Sequence, residues 1–467
     1  MTAIFRKDST SGKYQEISEN KAEILYSNDG KQIAYAGNQI SNREIYERVE
    51  KYCNPVASIG SGTEGEGSAR HRLINVAVVI RHGDRTPIGY FLDKHTKWGC
   101  EFDQKVMTEY PIAAKYVKYM RSHKDQFYKF LGVKQFTPIP DARNCAESTL
   151  TPLGALQHLL LGNHLQERYF KNTNLFPAHK WSGDELLVES TPYARTVQSS
   201  VAFLYGFLPD FDFTRFQMKL STTQWLNFCD KNCKCDAMKM YMVENDEDLQ
   251  KLRMKNINLT SVLSEMADIL EIQPDKFVYP TKVQDSLTGL ICHKKKLPCG
   301  AKNCVNIPHH FGTIINHTYM VAEVTNKGFN TARQKYVGLH MQPLLEKILK
   351  VMETQIINKK SVKFSLFSAH DVTISPMVDV LDLPEHVWPP YASRLIFELW
   401  ENTKTAEHFI SIIYNGKNLT QHARFCRSVT NDGLCPLQNF ADFVKFGNLM
   451  RYNNSTSYQQ ACAKIMK

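Results

Sequence analysis

The sequence predicts an α/β protein: a three-layer core with a mostly parallel sheet flanked by helices, plus a mainly helical cap. Three observations predict it. Short apolar runs at Leu73–Ile80, Glu185–Glu189 and Val362–Ser368 read as buried strands. Helix signals follow the second and third of these runs, the alternation that builds parallel sheets. Each run also ends in a polar cluster, and in such folds ligands bind beyond the carboxyl ends of the strands. The clusters are Arg81-His82-Gly83-Asp84-Arg85-Thr86-Pro87, the segment Thr191 to Arg195, and His370-Asp371.

Residues 1–50 are polar and of mixed charge, and read as a flexible or loosely attached leader to a domain over 51–467. Ile59–Gly67 is glycine-rich, a loop before the first core strand. Residues 101–148 carry aromatic and basic residues in helical patterns and read as a first cap insertion. Thr151 and Pro152 suit the N-cap and first turn of a helix whose Leu153, Leu156, Leu160 and Leu165 serve core packing. Thr191 and Pro192 repeat that signal. Arg195 then falls in the first turn of a helix, where free N–H groups and the macrodipole favour an anion. Residues 229–359 read as a second helical insertion. Its run His293-Lys294-Lys295-Lys296 is a solvated loop, unless it meets a polyanion. A helix is expected over Val372–Leu381. Leu395–Trp400 and Phe409–Tyr414 alternate as strands, with a hairpin signal at Asn415-Gly416. The core segments are thus about 70–100, 149–215 and 360–467.

The 467 residues suit one large domain or two, and 43% hydrophobic content is ordinary for a folded chain. Fifty-seven basic against 47 acidic side chains leave a net charge of +10, which suits an anionic substrate. No helix-turn-helix, zinc-finger or RNA-binding signature appears, so nucleic acid is not the expected partner. The twelve cysteines run from Cys53 to Cys462. Spacings among Cys229, Cys233, Cys235, Cys292, Cys299 and Cys304 match no common zinc pattern and favour disulfides of an oxidising compartment; their pairing is not deducible. Glycosylation acceptors stand at Asn258, Asn316, Asn418, Asn453 and the overlapping Asn454. Residues 1–50 hold no apolar run of the length a signal peptide or membrane span needs, which leaves the route into the secretory pathway open.

A strand that delivers a histidine between two arginines points to phosphoryl transfer. Arginine offers planar paired donors that match phosphate oxygens. Imidazole can attack phosphorus and later leave it. His82 is the candidate nucleophile, Arg81, Arg85 and Arg195 the candidate cradle with His370 as a further donor, and Asp371 the candidate proton donor. Asp84 is a rival acid inside the motif, but is read instead as an ion-pair partner that orients Arg81 or Arg85. No residue set resembles a metal site, and no cofactor is expected.

The motif R-H-G-x-R-x-P at 81–87, T-P-x-x-R ending at Arg195, His370-Asp371 and L-T-x-x-G at 150–154 resemble the histidine acid phosphatases. The resemblance implies an α/β core with a helical cap, no cofactor, a phosphorylated His82, phosphate binding by Arg81, Arg85, Arg195 and His370, and Asp371 as proton donor. A narrower resemblance over about 50–467 rests on Tyr52-Cys53-Asn54, YGFLPDFD at 205–212, SAHDVTISP at 368–376, SRLIFELW at 393–400, IIYNG at 412–416 and CPL at 435–437. It is to the branch of that family that removes the 2-phosphate from xylose in the glycosaminoglycan–protein linkage region. It implies a Golgi lumenal site, a linkage-oligosaccharide substrate and nearby linkage-region glycosyltransferases. The rivals are a broad acid or inositol-phosphate phosphatase, a phosphoglycerate-mutase-like transferase, and an inactive glycosaminoglycan-binding protein.

Overall fold

The computed structural model describes residues 41–463 except 68, 89–95, 141–144, 222–225, 232, 278, 325–330, 360, 386–387, 427 and 453. Before residue 41 it describes only the backbone of two antiparallel hairpins, Ile4–Lys7 with Tyr14–Ile17 and Ala22–Tyr26 with Gln32–Ala36.

The central sheet has eight strands: β1 (His71–Arg81), β2 (Leu186–Ser190), β3 (Met218–Leu220), β4 (Phe364–Ala369), β5 (Arg394–Asn402), β6 (His408–Tyr414), β7 (Lys417–Asn418) and β8 (Cys435–Pro436). They run in the order β7-β6-β5-β1-β4-β2-β3, with β8 paired to β6. The β1–β4, β4–β2 and β2–β3 pairs are parallel, whereas β5 and β6 join antiparallel. Ile80 and Ser190 both pair with Ser368, so the carboxyl ends of β1, β2 and β4 are level. That register brings the three polar clusters to one edge.

β1 shows why the core has three layers. Alternate side chains of a strand face opposite sides. Val76, Val78 and Ile80 bury with residues of helices over Pro152–Gln166 and Ala194–Phe207. Ala77 and Val79 bury on the other face with Met341, Leu344 and Ile348 of the helix Thr331–Ile357 and with Ile374 of the helix Asp371–Leu381. The 331–357 helix, expected inside the second cap insertion, therefore covers the sheet. Tyr116, Met120 and Phe127 from the first expected insertion likewise join the sheet's own core.

A separate apolar cluster unites four helices: α1 (Asn42–Cys53) and those over Ile257–Leu270, Pro280–Cys292 and Gly312–Val324. Ile45 and Val49 of α1 are buried there. The leader boundary expected at residue 50 thus falls inside a packed helix, because those two side chains share one helical face that the polar composition of 1–50 conceals.

Thr151 caps its helix by accepting from Gly154 N at 3.1 Å. Thr191 and Pro192 do not play the matching parts expected of them. The next helix starts at Ala194 with Tyr193 at the N-cap and no side-chain cap bond. Thr191 instead turns its hydroxyl toward His370. Asn415 and Gly416, both at positive φ, join β6 to β7 in the two-residue hairpin the sequence predicts.

All twelve cysteines are paired: Cys53–Cys292, Cys100–Cys145, Cys229–Cys233, Cys235–Cys462, Cys299–Cys304 and Cys426–Cys435. Six disulfides belong to an oxidising compartment. Among the described residues no helix is long and apolar enough to cross a membrane.

Candidate active site

The turn after β1 is held on every side by backbone. Arg81 N donates to Ser393 O and His82 N to Ala369 O, both at 2.9 Å. Two glycines permit the next step. A Cβ on Gly83 would lie 2.3 Å from Gly154 O, and one on Gly154 would lie 2.1 Å from Asp84 O. The catalytic turn and the start of the 152–166 helix therefore touch backbone to backbone. Thr151 N fastens the contact by donating to Asp84 O at 3.0 Å.

His82 is buried, with Nδ1 2.8 Å from Gly83 O. A carbonyl only accepts, so Nδ1 carries the proton and Nε2 keeps its lone pair. Burial, and then the charges of Arg195, Arg81 and Arg85, push its pKa well below the ordinary histidine value. The shift favours the neutral ring, the form in which an imidazole can act as a nucleophile.

Three guanidinium groups surround it. Arg81 Nη2 lies 2.9 Å from both Asp371 Oδ2 and the Tyr52 hydroxyl, and the guanidinium rests 4.4 Å from the Tyr391 ring. Arg85 takes Asp285 in two bonds of 3.1 and 2.8 Å. Arg195 packs 4.7 Å from the Tyr193 ring and donates to His370 Nδ1 at 3.3 Å. The Nε atoms of all three are buried without a hydrogen-bond partner among the described residues. Donors of that kind suit an anion.

His370 is also buried, and burial with the Arg195 charge lowers its pKa well below the ordinary value. Its Nδ1 accepts from Arg195 while Nε2 donates to Thr191 Oγ1 at 2.8 Å. In this arrangement His370 orients Arg195; to donate to phosphate as expected from sequence, Nδ1 must gain a proton.

Asp371 opens its helix beside these groups. Oδ1 accepts from Val372 N at 2.8 Å, and Oδ2 from Trp388 Nε1 at 3.2 Å as well as from Arg81. Burial pushes its pKa up, but Arg81 and Arg85 outweigh burial and bring it to about 2. Two arginine neighbours thus hold Asp371 ionised, which opposes its expected part as proton donor. Asp84 makes neither expected ion pair. It accepts instead from Thr151 Oγ1 and from His293 Nε2, the latter at 2.7 Å.

The six residues expected from sequence, His82, Asp371, Arg81, Arg85, Arg195 and His370, stand together at the level ends of three strands. Tyr52, Asp285, Trp388 and Tyr391 were missed, since each comes from a distant segment with no local pattern. Thr191 was seen and misassigned. Outside the site, Glu265, His309 and His310 bring ligand atoms together. His310 Nδ1 accepts from Asn306 N at 3.1 Å, which places the ring proton on the Nε2 that faces Glu265. That tautomer does not suit a metal.

A cleft of about 630 Å³ leads outward from Arg85 and Asp371. Its basic Arg253, Lys282 and Arg333 are countered by Asp246, Asp285, Asp379 and Glu385. Tyr279, Trp388, Val372 and Ile88 line it with exposed apolar surface.

A family model described as the histidine phosphatase superfamily (branch 2) matches residues 72–415. The chain is 32% identical over 429 residues to "2-phosphoxylose phosphatase 1" of Homo sapiens, covering 90% of this chain and 86% of that protein. It is 31% identical to the Danio rerio protein of the same name, covering 89% and 86%. The fold is similar to that of Hafnia alvei phytase in its apo form, with a TM-score of 0.51 at 16% identity, covering 85% of this chain and 99% of that one. The motif turn, the level strand ends and these matches agree: the chain belongs to branch 2 of the histidine phosphatase superfamily and is a phosphomonoester hydrolase.

Proposed function

We propose that the enzyme removes the 2-phosphate from xylose in the glycosaminoglycan–protein linkage region through a phosphohistidine at His82. The observation that carries the chemistry is the neutral His82 ring, with Nε2 free, enclosed by Arg81, Arg85 and Arg195. Phosphate oxygens settle on the three guanidinium groups, whose charge then no longer holds Asp371 at low pKa. Asp371 takes up a proton that enters with the monoanionic ester. His82 Nε2 attacks phosphorus, the P–O ester bond breaks, and Asp371 gives its proton to the leaving sugar oxygen. Water then attacks phosphorus, Asp371 accepts the water's proton, the P–N bond breaks, and inorganic phosphate leaves.

The relatives' printed names support xylose 2-phosphate as substrate, and the cleft supports a sugar leaving group. Aromatic and apolar rims suit the C–H faces of a saccharide. An inositol polyphosphate brings many negative charges, for which a cleft whose Arg253, Lys282 and Arg333 are balanced by Asp246, Asp379 and Glu385 offers no excess of positive charge. Intact His82 and Asp371 argue against an inactive binding protein. Lumenal, Golgi-sited action beside linkage-region glycosyltransferases fits the six disulfides and the acceptor sites at Asn258, Asn418 and Asn454, which are exposed, and at Asn316, half-buried. Asn453 lies outside the described residues.

The test supplies a phosphoxylose-containing linkage oligosaccharide, phytate and an aryl phosphate to the purified enzyme. The expected result is the highest kcat/KM on the oligosaccharide. Preference for phytate overturns the substrate; failure of His82→Ala to abolish turnover of every substrate overturns the chemistry.

A further inference from the structure

The helix Pro280–Cys292 and its C-cap residue present three positions at intervals of four to the turn after β1. Such residues share one helical face. Asp285 holds Arg85 by two hydrogen bonds and also accepts from Ile88 N at 2.8 Å. Gly289 lies against Pro87, where a Cβ would meet the ring at 2.9 Å. His293, the residue after the helix, reaches Asp84 Oδ1 at 2.7 Å. One helix face thus brackets the turn from 84 to 88.

The bracket is crosslinked to the other side of the site. Cys292, the last residue of the helix, is bonded to Cys53 of α1. The carbonyls of Cys53 and Asn54 each accept from Gln157 Nε2 at 2.9 Å, and Gln157 Oε1 accepts from Asp84 N at 2.8 Å. The path runs from Asp84 through His293, the disulfide and Gln157 back to Asp84. A solvated basic loop has no such connection: Lys294, Lys295 and Lys296 are exposed, while the His293 side chain is only 19% exposed, with the Trp98 ring edge-on at 5.1 Å.

We propose that His293 is a positioning residue for catalysis, whose hydrogen bond to Asp84 holds the 82–85 turn in the register that aims His82 and Arg85 at phosphate. The inference rests on reading that turn as the phosphate site. The charged groups acting on His293 are Asp84 from the turn and Lys295 from its own loop; Trp98, Thr151 and Gln157 around the pair do not titrate. Burial pushes the His293 pKa down, but the charge and hydrogen bond of Asp84 more than offset it and leave the pKa above the ordinary value. A charged donor binds a carboxylate more strongly than a neutral one. The bracket is therefore tightest at acid pH and loosens as pH rises through that raised pKa.

The test compares wild type, His293→Phe, His293→Gln and Asp84→Asn for kcat/KM on an aryl phosphate from pH 4 to 8, inhibition by inorganic phosphate, and Tm. His293→Phe should lose about tenfold in kcat/KM at acid pH, with weakened phosphate inhibition, and less at pH 8. His293→Gln, a neutral donor, should recover part of the acid-pH loss and flatten the pH profile. Asp84→Asn should lose a similar amount, and the double variant Asp84→Asn/His293→Phe no more than either alone. A lower Tm with an unchanged pH profile and unchanged phosphate inhibition in His293→Gln overturns the proposal, as do additive losses. If wild type itself fails to hydrolyse the aryl phosphate, the phosphatase reading fails instead.

Discussion

At the scale of single residues, the site is a set of charges that hold one another in unusual protonation states. His82 is kept neutral by burial and three arginines, and Asp371 is kept ionised by two of the same arginines. In the proposed mechanism the second effect reverses when the negative charge of the substrate meets the arginines. Asp371→Asn keeps the shape and the Val372 N contact but cannot donate a carboxyl proton. Its kcat should fall by roughly 10² or more on a sugar phosphate and by much less on an aryl phosphate, whose phenolate leaves without protonation. Equal losses on the two substrates would remove Asp371 as the acid. Trp388 shares the same carboxylate oxygen, at 3.2 Å. The indole therefore helps to aim the group while also lining the cleft.

At the scale of elements, function depends on three strand ends that stop at one level and on two backbone segments in direct contact. The R-H-G-x-R-x-P and L-T-x-x-G glycines are one feature, since Gly83 and Gly154 leave room for each other's backbone. Gly154→Ala must push Asp84 O aside. It should cost about 1–3 kcal/mol in unfolding free energy by urea titration, with a further drop in kcat/KM in the protein that remains folded, because the displaced atom belongs to the catalytic turn. Wild-type kcat/KM in a folded Gly154→Ala variant would show that the contact serves packing alone. The helix Pro280–Cys292 shows the converse case. Its motif-facing residues lie in a segment whose cysteines and lysines draw the eye, so a bracket on the site reads in sequence as an ordinary amphipathic helix.

At the scale of the whole molecule, the disulfides divide by the length of chain they close. Cys235–Cys462 spans 227 residues and ties the final helix to the helical region, whereas Cys229–Cys233 spans four. In the chain-entropy account the long crosslink contributes about 5 kcal/mol and the short one about 2 kcal/mol, through restriction of the unfolded chain. Replacing Cys235 and Cys462 with Ser should therefore lower the urea midpoint well beyond the loss from replacing Cys229 and Cys233. Equal losses would place the effect in native packing instead.

The sequence by itself determined the local chemistry. Buried strand runs, the Thr151 cap and the Asn415-Gly416 hairpin were legible because each depends on neighbours within a few positions, and the three motifs that hold the six candidate residues stood out for the same reason. The same reasoning misread Thr191, since a threonine before proline carries one local signal whether it caps a helix or bonds a distant histidine. Only the tertiary structure decided which helices cover the sheet, which cysteines pair, and that Asp84 meets His293 rather than an arginine. It also brought Tyr52, Asp285, Trp388 and Tyr391 to the site. Those are choices between partners separated by tens to hundreds of residues, set by which apolar faces bury together, and no short-range pattern encodes them.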